Sequence, residues 1–523
     1  MRGIILSTAA DVLARREQRR DEHAHALARW DRPLVSITLV APGARKDSPA
    51  LRRAHSLAVQ AVLGLLAARG WAVLASGACS GVTGPESWHA VDADPRALKS
   101  ALVALEDAPG TGRVWDLDVI VASELGPAPI GRGALGLPPR RCLLCAETAH
   151  ACARARRHPL PVVVAAADAV ASGWPSPGDA LWWAGLAAEA LRVEARLTPK
   201  PGLVDAANSG SHDDMDLALL LASADALEPW FAGCVLLGRA SASAECTPAS
   251  VSATADGVPS SAALTARPPV PRGRLVSPEV PGPRASSVPT DEPGSDFVRA
   301  LTELGIAAER SMLAVTGGVN THKGALFSMG LLLAAIGRTT SPGEAPSIEV
   351  VLDEAARLAS GINAAWRAGF RDAHTHGERA LLTTGAGGIR AEAAAGFPAV
   401  RDVALPAYRA RRQASGGGDS TGLASGPTKD ALRWALVSLM STVEDTNLIA
   451  RGGIEALTEV RPWATGLLAS DPSETALIAA LAEADEHFTA RRWSPGGSAD
   501  LLALTWFLDE MPRLRPTAHP DGQ

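Results

Sequence analysis

Gly112-Arg113-Val114-Trp115-Asp116-Leu117-Asp118-Val119-Ile120 alternates apolar and acidic residues with a period of two, the pattern of a β-strand with one face toward a core. The β-type run extends from Trp115 to Ala122, and its acids Asp116 and Asp118 share the opposite face. Two carboxylates so placed are suited to hold a divalent ion such as Mg2+ against a polyphosphate, although an exposed amphipathic strand carries the same pattern with no site. Arg113, just upstream, offers a phosphate partner. Working outward, Pro33-Leu34-Val35-Ser36-Ile37-Thr38-Leu39-Val40 reads as a second β-type run and Ser56 to Arg69 as a helix. Between them Val40-Ala41-Pro42-Gly43-Ala44-Arg45-Lys46-Asp47-Ser48 is either a phosphate-reading loop carrying Lys46 or an ordinary strand-to-helix connection. Downstream, Cys142, Cys145, Cys152 and His158 have the spacing Cys-x2-Cys-x6-Cys-x5-His, which suits tetrahedral zinc; the other reading is small apolar cysteines packed under Arg140-Arg141 and Arg154 to Arg157.

Residues 1–175 therefore read as an α/β domain, and the pattern changes beyond Pro175-Ser176-Pro177-Gly178. From Asp179 the apolar residues recur at helical spacing in Asp179–Ala195, Asp214–Ala226, Asp296–Ala314, Gly324–Ile336, Thr428–Val443, Thr475–Thr489 and Ser498–Leu508. Residues 179–510 are expected to form an all-α domain. Two stretches, about 240–294 and 411–426, are Ser-, Ala-, Pro- and Gly-rich with few large apolar groups, and are expected to be disordered insertions. No 20–50-residue period repeats, which argues against a solenoid.

The chain has 523 residues, 47% hydrophobic and 20% charged, with net charge −6, so it can bury two or three cores and has no basic excess for nucleic acid. No continuous apolar run of about 18 residues and no secretory leader are visible, so neither a membrane nor export is expected and the chain reads as cytoplasmic. Six cysteines are too few for a disulfide scaffold. Of 50 basic residues only five are Lys: Lys46, Lys99, Lys200, Lys323 and Lys429. Where Arg is the default cation, a retained Lys points to a need for a compact ammonium.

Four segments of the helical half place polar residues beside helix boundaries. Leu197 to Asp205, with Lys200, leads to Ser209-Gly210-Ser211-His212-Asp213-Asp214-Met215-Asp216. Thr316-Gly317-Gly318-Val319-Asn320-Thr321-His322-Lys323-Gly324 is a Gly-containing loop at the start of an apolar helix, a ready phosphate cradle but not a Walker A loop. Val443-Glu444-Asp445-Thr446-Asn447 closes an apolar helix, where carboxylates oppose the macrodipole and call for a metal or a facing cation, and Arg451-Gly452-Gly453 follows. Ser494-Pro495-Gly496-Gly497-Ser498-Ala499-Asp500 opens the last helix, with Ser498 either as its cap or with its amides on a phosphate.

Two resemblances follow from these residues. Val40 to Arg53, Gly112 to Ile120 and Leu137 to Cys145, within Ile4 to Asp168, resemble holo-citrate lyase synthase, the apo-citrate lyase phosphoribosyl-dephospho-CoA transferase. The resemblance implies a nucleotidyltransferase-like domain that transfers a prosthetic group to a serine of the citrate lyase acyl carrier protein (gamma subunit) with release of pyrophosphate, using Asp116 and Asp118 as Mg2+ ligands. Pro109-Gly110-Thr111 departs from the family's His-Pro-Leu, so any role of that His is absent. The helical segments above, with His374-Thr375-His376-Gly377, Gly388 to Ala393 and Gly396-Phe397-Pro398, resemble triphosphoribosyl-dephospho-CoA synthase from Trp182 to Leu508; Arg390-Ala391-Glu392 replaces the usual Arg-Gly-Glu.

That family joins ATP to 3′-dephospho-CoA and expels adenine through an oxocarbenium-like transition state, which demands cations at the phosphates and carboxylates at the sugar. The expected phosphate groups are Lys200, Lys323, Arg390 and Arg451, with Gly317, Gly318, Gly496, Gly497 and Ser498 lining the nucleotide and Lys46 serving the N-terminal half. Asp214, Glu392, Glu444 and Asp445 are expected to hold magnesium or serve as general base, with His212 or His322 as alternative bases. The whole reads as a bifunctional enzyme. The alternatives are the same chemistry on the malonate decarboxylase acyl carrier protein, or a non-catalytic nucleotide-binding scaffold for the carrier.

Overall fold

A computed structural model describes residues 6–174, 178–245, 295–340, 344–369, 387–414 and 426–511. The expected boundary at 175–177, the His374 to Gly377 motif and most of the two low-complexity stretches lie outside these residues.

The N-terminal region is built on β1 (Leu34–Leu39), β2 (Ala72–Cys79), β3 (Glu86–Asp92), β4 (Trp115–Ser123) and β5 (Gly126–Pro129), paired antiparallel in the order β2-β3-β1-β4-β5. Alternation along β1 sends Val35 and Ile37 to one face and Leu34 to the other, and helices cover both. α2 (Pro49–Ala68), α3 (Pro95–Asp107) and α5 (Leu160–Ala171) pack on the first face through Leu51, Val62, Leu98 and Val170. α1 (Ala9–Trp30) lies on the second through Ala26 and Leu27. α2 begins at Pro49, earlier than the expected Ser56, because Ser48 accepts from the Leu51 amide at 3.2 Å and Pro49 occupies the first helical position. α1 was not expected from the pattern; a capping box between Thr8 and Asp11 starts it. α4 (Ala149–Ala155) follows the sheet and precedes α5.

Among the described residues everything beyond 178 is helical or loop: α6 (Gly178–Arg196), α7 (Leu217–Glu245), α8 (Ser295–Val315), α9 (Lys323–Thr339), α10 (Ile348–Gly369), α11 (Gly388–Ala394), α12 (Leu405–Ala414), α13 (Gly426–Thr442), α14 (Thr446–Ala469), α15 (Glu474–Ala490) and α16 (Gly496–Glu510). α7 continues to Glu245, so the first low-complexity stretch starts later than expected, and Arg411 to Ala414 belong to α12. α7 is long and apolar enough over Leu217–Ala242 to pass for a membrane span by average composition, although Asp225, Glu228 and Arg239 interrupt the run. In the structure it is the central helix, packed by α5, α6, α8 and α9. α7 and α9 touch backbone to backbone: a Cβ on Gly238 would lie 2.2 Å from the Ala334 carbonyl oxygen, and one on Gly337 2.1 Å from that of Val235.

The two regions share α5. Beyond its exposed first residues, Leu160 and Pro161, this helix is almost wholly apolar, with Asp168 paired to Arg45, and it buries residues in both directions. Ala167, Val170 and Ala171 join the sheet core, while Val162, Ala165, Ala166 and Ala169 join the core of the helical region together with Cys142, Leu144 and Cys152.

Candidate active sites

On β4, Asp116 and Asp118 face out beside Thr38 and Ser36 of β1. The Thr38 hydroxyl donates to Asp116 at 3.2 Å, and Arg140 lies 3.7 Å away. Burial and the neighbouring Asp116 charge push the Asp118 carboxyl above its usual range, against the pull of Lys99. β5 pairs only with Ile120 to Ser123, so the edge of β4 at Leu117 is completed by side chains of α3. Lys99 donates to the Leu117 carbonyl at 2.6 Å, and Glu106 accepts from its amide at 2.9 Å. One rare lysine thus stands in for a strand, and its ammonium also lies 3.4 Å from Asp118.

The other N-terminal expectations are modified. Arg113 donates to the carbonyls of Arg141 and Cys142 at 3.3 and 3.0 Å, so it braces the cysteine loop rather than standing free for a phosphate. The Lys46 ammonium is bonded to the Ala41 carbonyl of its own loop, and burial lowers its pKa. Cys142, Cys145, Cys152 and His158 converge: their ligand atoms all lie within 4.8 Å of one another. Burial and the adjoining thiols push Cys152 up to about 12, while burial keeps His158 low and hence neutral. This set could hold a metal.

In the helical region one cavity of about 650 Å³, the size of a nucleotide or cofactor site, gathers most of the expected residues. Lys200, His212, Asp214, Lys323, Arg390, Glu392, Glu444, Asp445, Arg451, Gly496 and Gly497 all line it. Leu301, Leu304, Ile306 and Trp230 give it an apolar wall. Burial raises Glu392, reinforced by the charges of Glu444 and Asp402 and opposed by the Ala399 amide, which donates to it at 3.2 Å. Arg451 donates to the Ser211 carbonyl at 3.0 Å and to His212 Nδ1 at 3.1 Å. Lys323 pairs with Glu309 at 2.6 Å, and Arg390 lies over the Phe327 ring.

Several expected roles change. Gly317 and Gly318 do not line the cavity; with φ of +64° and +93° they terminate α8, the Gly318 amide donating to the Leu313 carbonyl at 2.8 Å. Lys200 is 1% exposed and is bound to the Glu194 carboxylate and carbonyl, so it neutralises a buried acid instead of awaiting a phosphate. Asp445 does not end a helix against its dipole: it caps α14, accepting from the amides of Asn447 and Leu448 at 3.0 and 3.2 Å. Its other oxygen accepts from the Ser498 amide and hydroxyl at 2.8 and 3.1 Å, in the first turn of α16. Four donors leave this carboxylate no lone pair for magnesium. Ser498 is accordingly the third residue of α16 and not its cap.

Burial holds both histidines neutral. Thr321 donates to the Ser223 hydroxyl at 2.7 Å, and that hydroxyl is hydrogen-bonded to His322 Nδ1 at 2.8 Å. Its Nε2 is buried and has no partner among the described residues, and burial pushes the His322 pKa down to about 3. His212 accepts at Nδ1 and donates from Nε2 to Ser494 at 2.9 Å, with burial holding its pKa at about 4.

Asp500 and Glu194, both lining the cavity, were not singled out from the sequence. Burial, with the charges of Glu194 and Asp445, pushes Asp500 well above the usual carboxylate range, against the Ala325 amide at the start of α9. Gly324 makes the room, since a Cβ there would lie 2.0 Å from an Asp500 oxygen. Asp500 fell within a quoted segment, but nothing in its spacing marks it as buried.

A family model described as CitG, ATP:dephospho-CoA triphosphoribosyl transferase, matches residues 180–518. The chain belongs to this family. A second model, CitX, apo-citrate lyase phosphoribosyl-dephospho-CoA transferase, matches residues 7–173. The same pairing occurs in a protein of Haemophilus influenzae called Protein CitXG, 30% identical over 511 residues, which cover 95% of this chain and 94% of that one. The CitG part is 37% identical over 338 residues to a probable 2-(5''-triphosphoribosyl)-3'-dephosphocoenzyme-A synthase of Salmonella gallinarum, covering 63% of this chain and 90% of the relative. A synthase so named from Pectobacterium atrosepticum is 38% identical over 325 residues, 62% and 87% of the two chains. The CitX and CitG domains make the chain a bifunctional transferase in biosynthesis of the citrate lyase prosthetic group.

Proposed function

We propose that residues 179–510 join ATP to 3′-dephospho-CoA with loss of adenine, and that residues 1–175, a nucleotidyltransferase-like domain, move the phosphoribosyl-dephospho-CoA group to a serine of the citrate lyase acyl carrier protein with loss of pyrophosphate. The observation that carries the reading is the convergence of acids and cations from six separate sequence segments on one cavity. Glu392, raised by burial, is suited to take the proton of the attacking ribose hydroxyl; Asp500, pushed well above the usual carboxylate range by burial, is suited to give one to the departing adenine. His322, held neutral by burial, lines the same cavity and has its Nε2 unpartnered among the described residues. Lys323, Arg390 and Arg451 are the cations for the triphosphate.

The donor sets suit magnesium at two places. Asp116 and Asp118 repel each other on β4, and in the cavity Glu444 adds a second acid charge beside Glu392; a divalent ion on the first pair, or on Glu444, would relieve either repulsion. Bound there, it would neutralise phosphate charge. The reaction calls for ATP and so places the work in the cytoplasm. The carrier of citrate lyase is favoured over that of malonate decarboxylase by the CitX match.

The test is adenine release from ATP, measured by chromatography with and without dephospho-CoA, with Glu392→Gln as control. Adenine that requires dephospho-CoA and falls at least 100-fold in the variant supports the reading; folded protein that yields none returns the scaffold alternative.

A further inference from the structure

Three ligand atoms of the cysteine cluster have the spacing of a filled metal site, and Cys142 Sγ lies within 4.8 Å of each of them. Zinc–sulfur bonds of about 2.3 Å in a tetrahedron put sulfurs about 3.8 Å apart. Here Cys145 and Cys152 Sγ are 3.4 Å apart, and His158 Nε2 lies 3.3 and 3.9 Å from them. The backbone is shaped to deliver them. Cys142 donates to the Glu147 carbonyl at 2.7 Å in a tight loop, and the Leu144 amide points to Cys142 Sγ at 3.5 Å. Thr148 caps α4, which presents Cys152, and Arg156 at φ +48° turns the chain back so that His158 reaches the thiols. Soft thiolates with one imidazole select zinc over magnesium.

The position of the cluster gives it a task. Arg113 donates to the Cys142 carbonyl at 3.0 Å, and Arg140 donates to the Arg113 carbonyl at 2.6 Å while lying 3.7 Å from Asp116. On its other side, Cys142 and Cys152 are part of the core of the helical region. We propose that Cys142, Cys145, Cys152 and His158 bind one zinc ion that fixes Arg113 and Arg140 beside Asp116 and thereby positions the carrier-modifying site. The ion touches no substrate, and it rests on the transferase reading of the N-terminal half only for the activity it supports.

Full-length protein, purified without chelator, is to be assayed for zinc by mass spectrometry, and after cobalt exchange for the visible bands of a thiolate-bound tetrahedral ion. One zinc per chain, those bands, and their loss in Cys145→Ser are expected. Carrier labelling in that variant should drop at least tenfold through kcat, with adenine release within twofold of the parent. His158→Cys, which keeps a four-ligand set, should retain both metal and labelling, and it keeps the test intact if Cys145→Ser does not fold. Metal-free protein, or a Cys145–Cys152 disulfide in its place, overturns the site. Stoichiometric zinc with undiminished labelling in Cys145→Ser overturns the positioning role. Absent labelling in the zinc-bound parent counts against the transferase reading and leaves the metal site standing.

Discussion

His322 shows how far one side chain's role is set by its neighbours. Thr321, Ser223 and His322 form a hydrogen-bonded chain that holds the ring by Nδ1, and the buried Nε2 has no partner among the described residues. The sign of its pH effect follows. With a folded pKa of about 3 against the ordinary 6.5, the unfolded chain takes up a proton that the folded one refuses, so this residue's share of stability is complete above pH 6.5 and is lost as the pH falls toward 3. In His322→Gln that loss is absent. The stability gap between parent and variant, read from urea midpoints, is therefore expected to narrow between pH 7.5 and pH 5; an unchanged gap would mean the ring is not held neutral.

Helix ends decide the geometry of the cavity, and they explain what could and could not be read beforehand. The start of α14 and the first turn of α16 share the Asp445 carboxylate, although 53 residues separate Asp445 from Ser498. Asp445→Ala removes the acceptor from both; at about 0.5–2 kcal/mol per cap the loss is roughly 1–4 kcal/mol, measurable by chemical denaturation. A cost under about 0.5 kcal/mol would contradict the double cap. Asp445 was visible in the sequence as a polar residue at a helix boundary. That the donors come from a remote helix was not, because helical periodicity specifies a face and not the neighbour it meets. The same limit hid Asp500 and the Lys99 and Glu106 bonds to β4, whereas the Cys and His spacing, a local matter of 17 residues, was legible in full. The Gly317-Gly318 pair misled because a helix-terminating turn and a phosphate loop use the same residues for the same backbone reason.

At the scale of the whole molecule, the boundary that punctuation suggested near 175 separates two family matches but not two cores. α5 precedes it and contributes Val162, Ala165, Ala166 and Ala169 to the core of the helical region. A chain begun at residue 178 would expose the apolar side of α7 against which α5 rests. It is expected to melt several degrees below the intact protein and to bind an apolar dye; equal melting and no dye binding would show that the halves are independent.

The crossing of α7 and α9 has a consequence for how the protein tolerates change. Gly337 sits 14 residues along α9 from Lys323, a lever about 20 Å long at 1.5 Å per residue. Its counterpart on α7, Gly238, is equally without room for a methyl group. Any side chain at either position wedges the two rods apart at the fulcrum and swings the end that carries His322, Lys323 and the Asp500 contact. A survey that ranked positions by distance from the chemistry would pass over both glycines, yet neither admits a methyl group without moving a helix that carries the site.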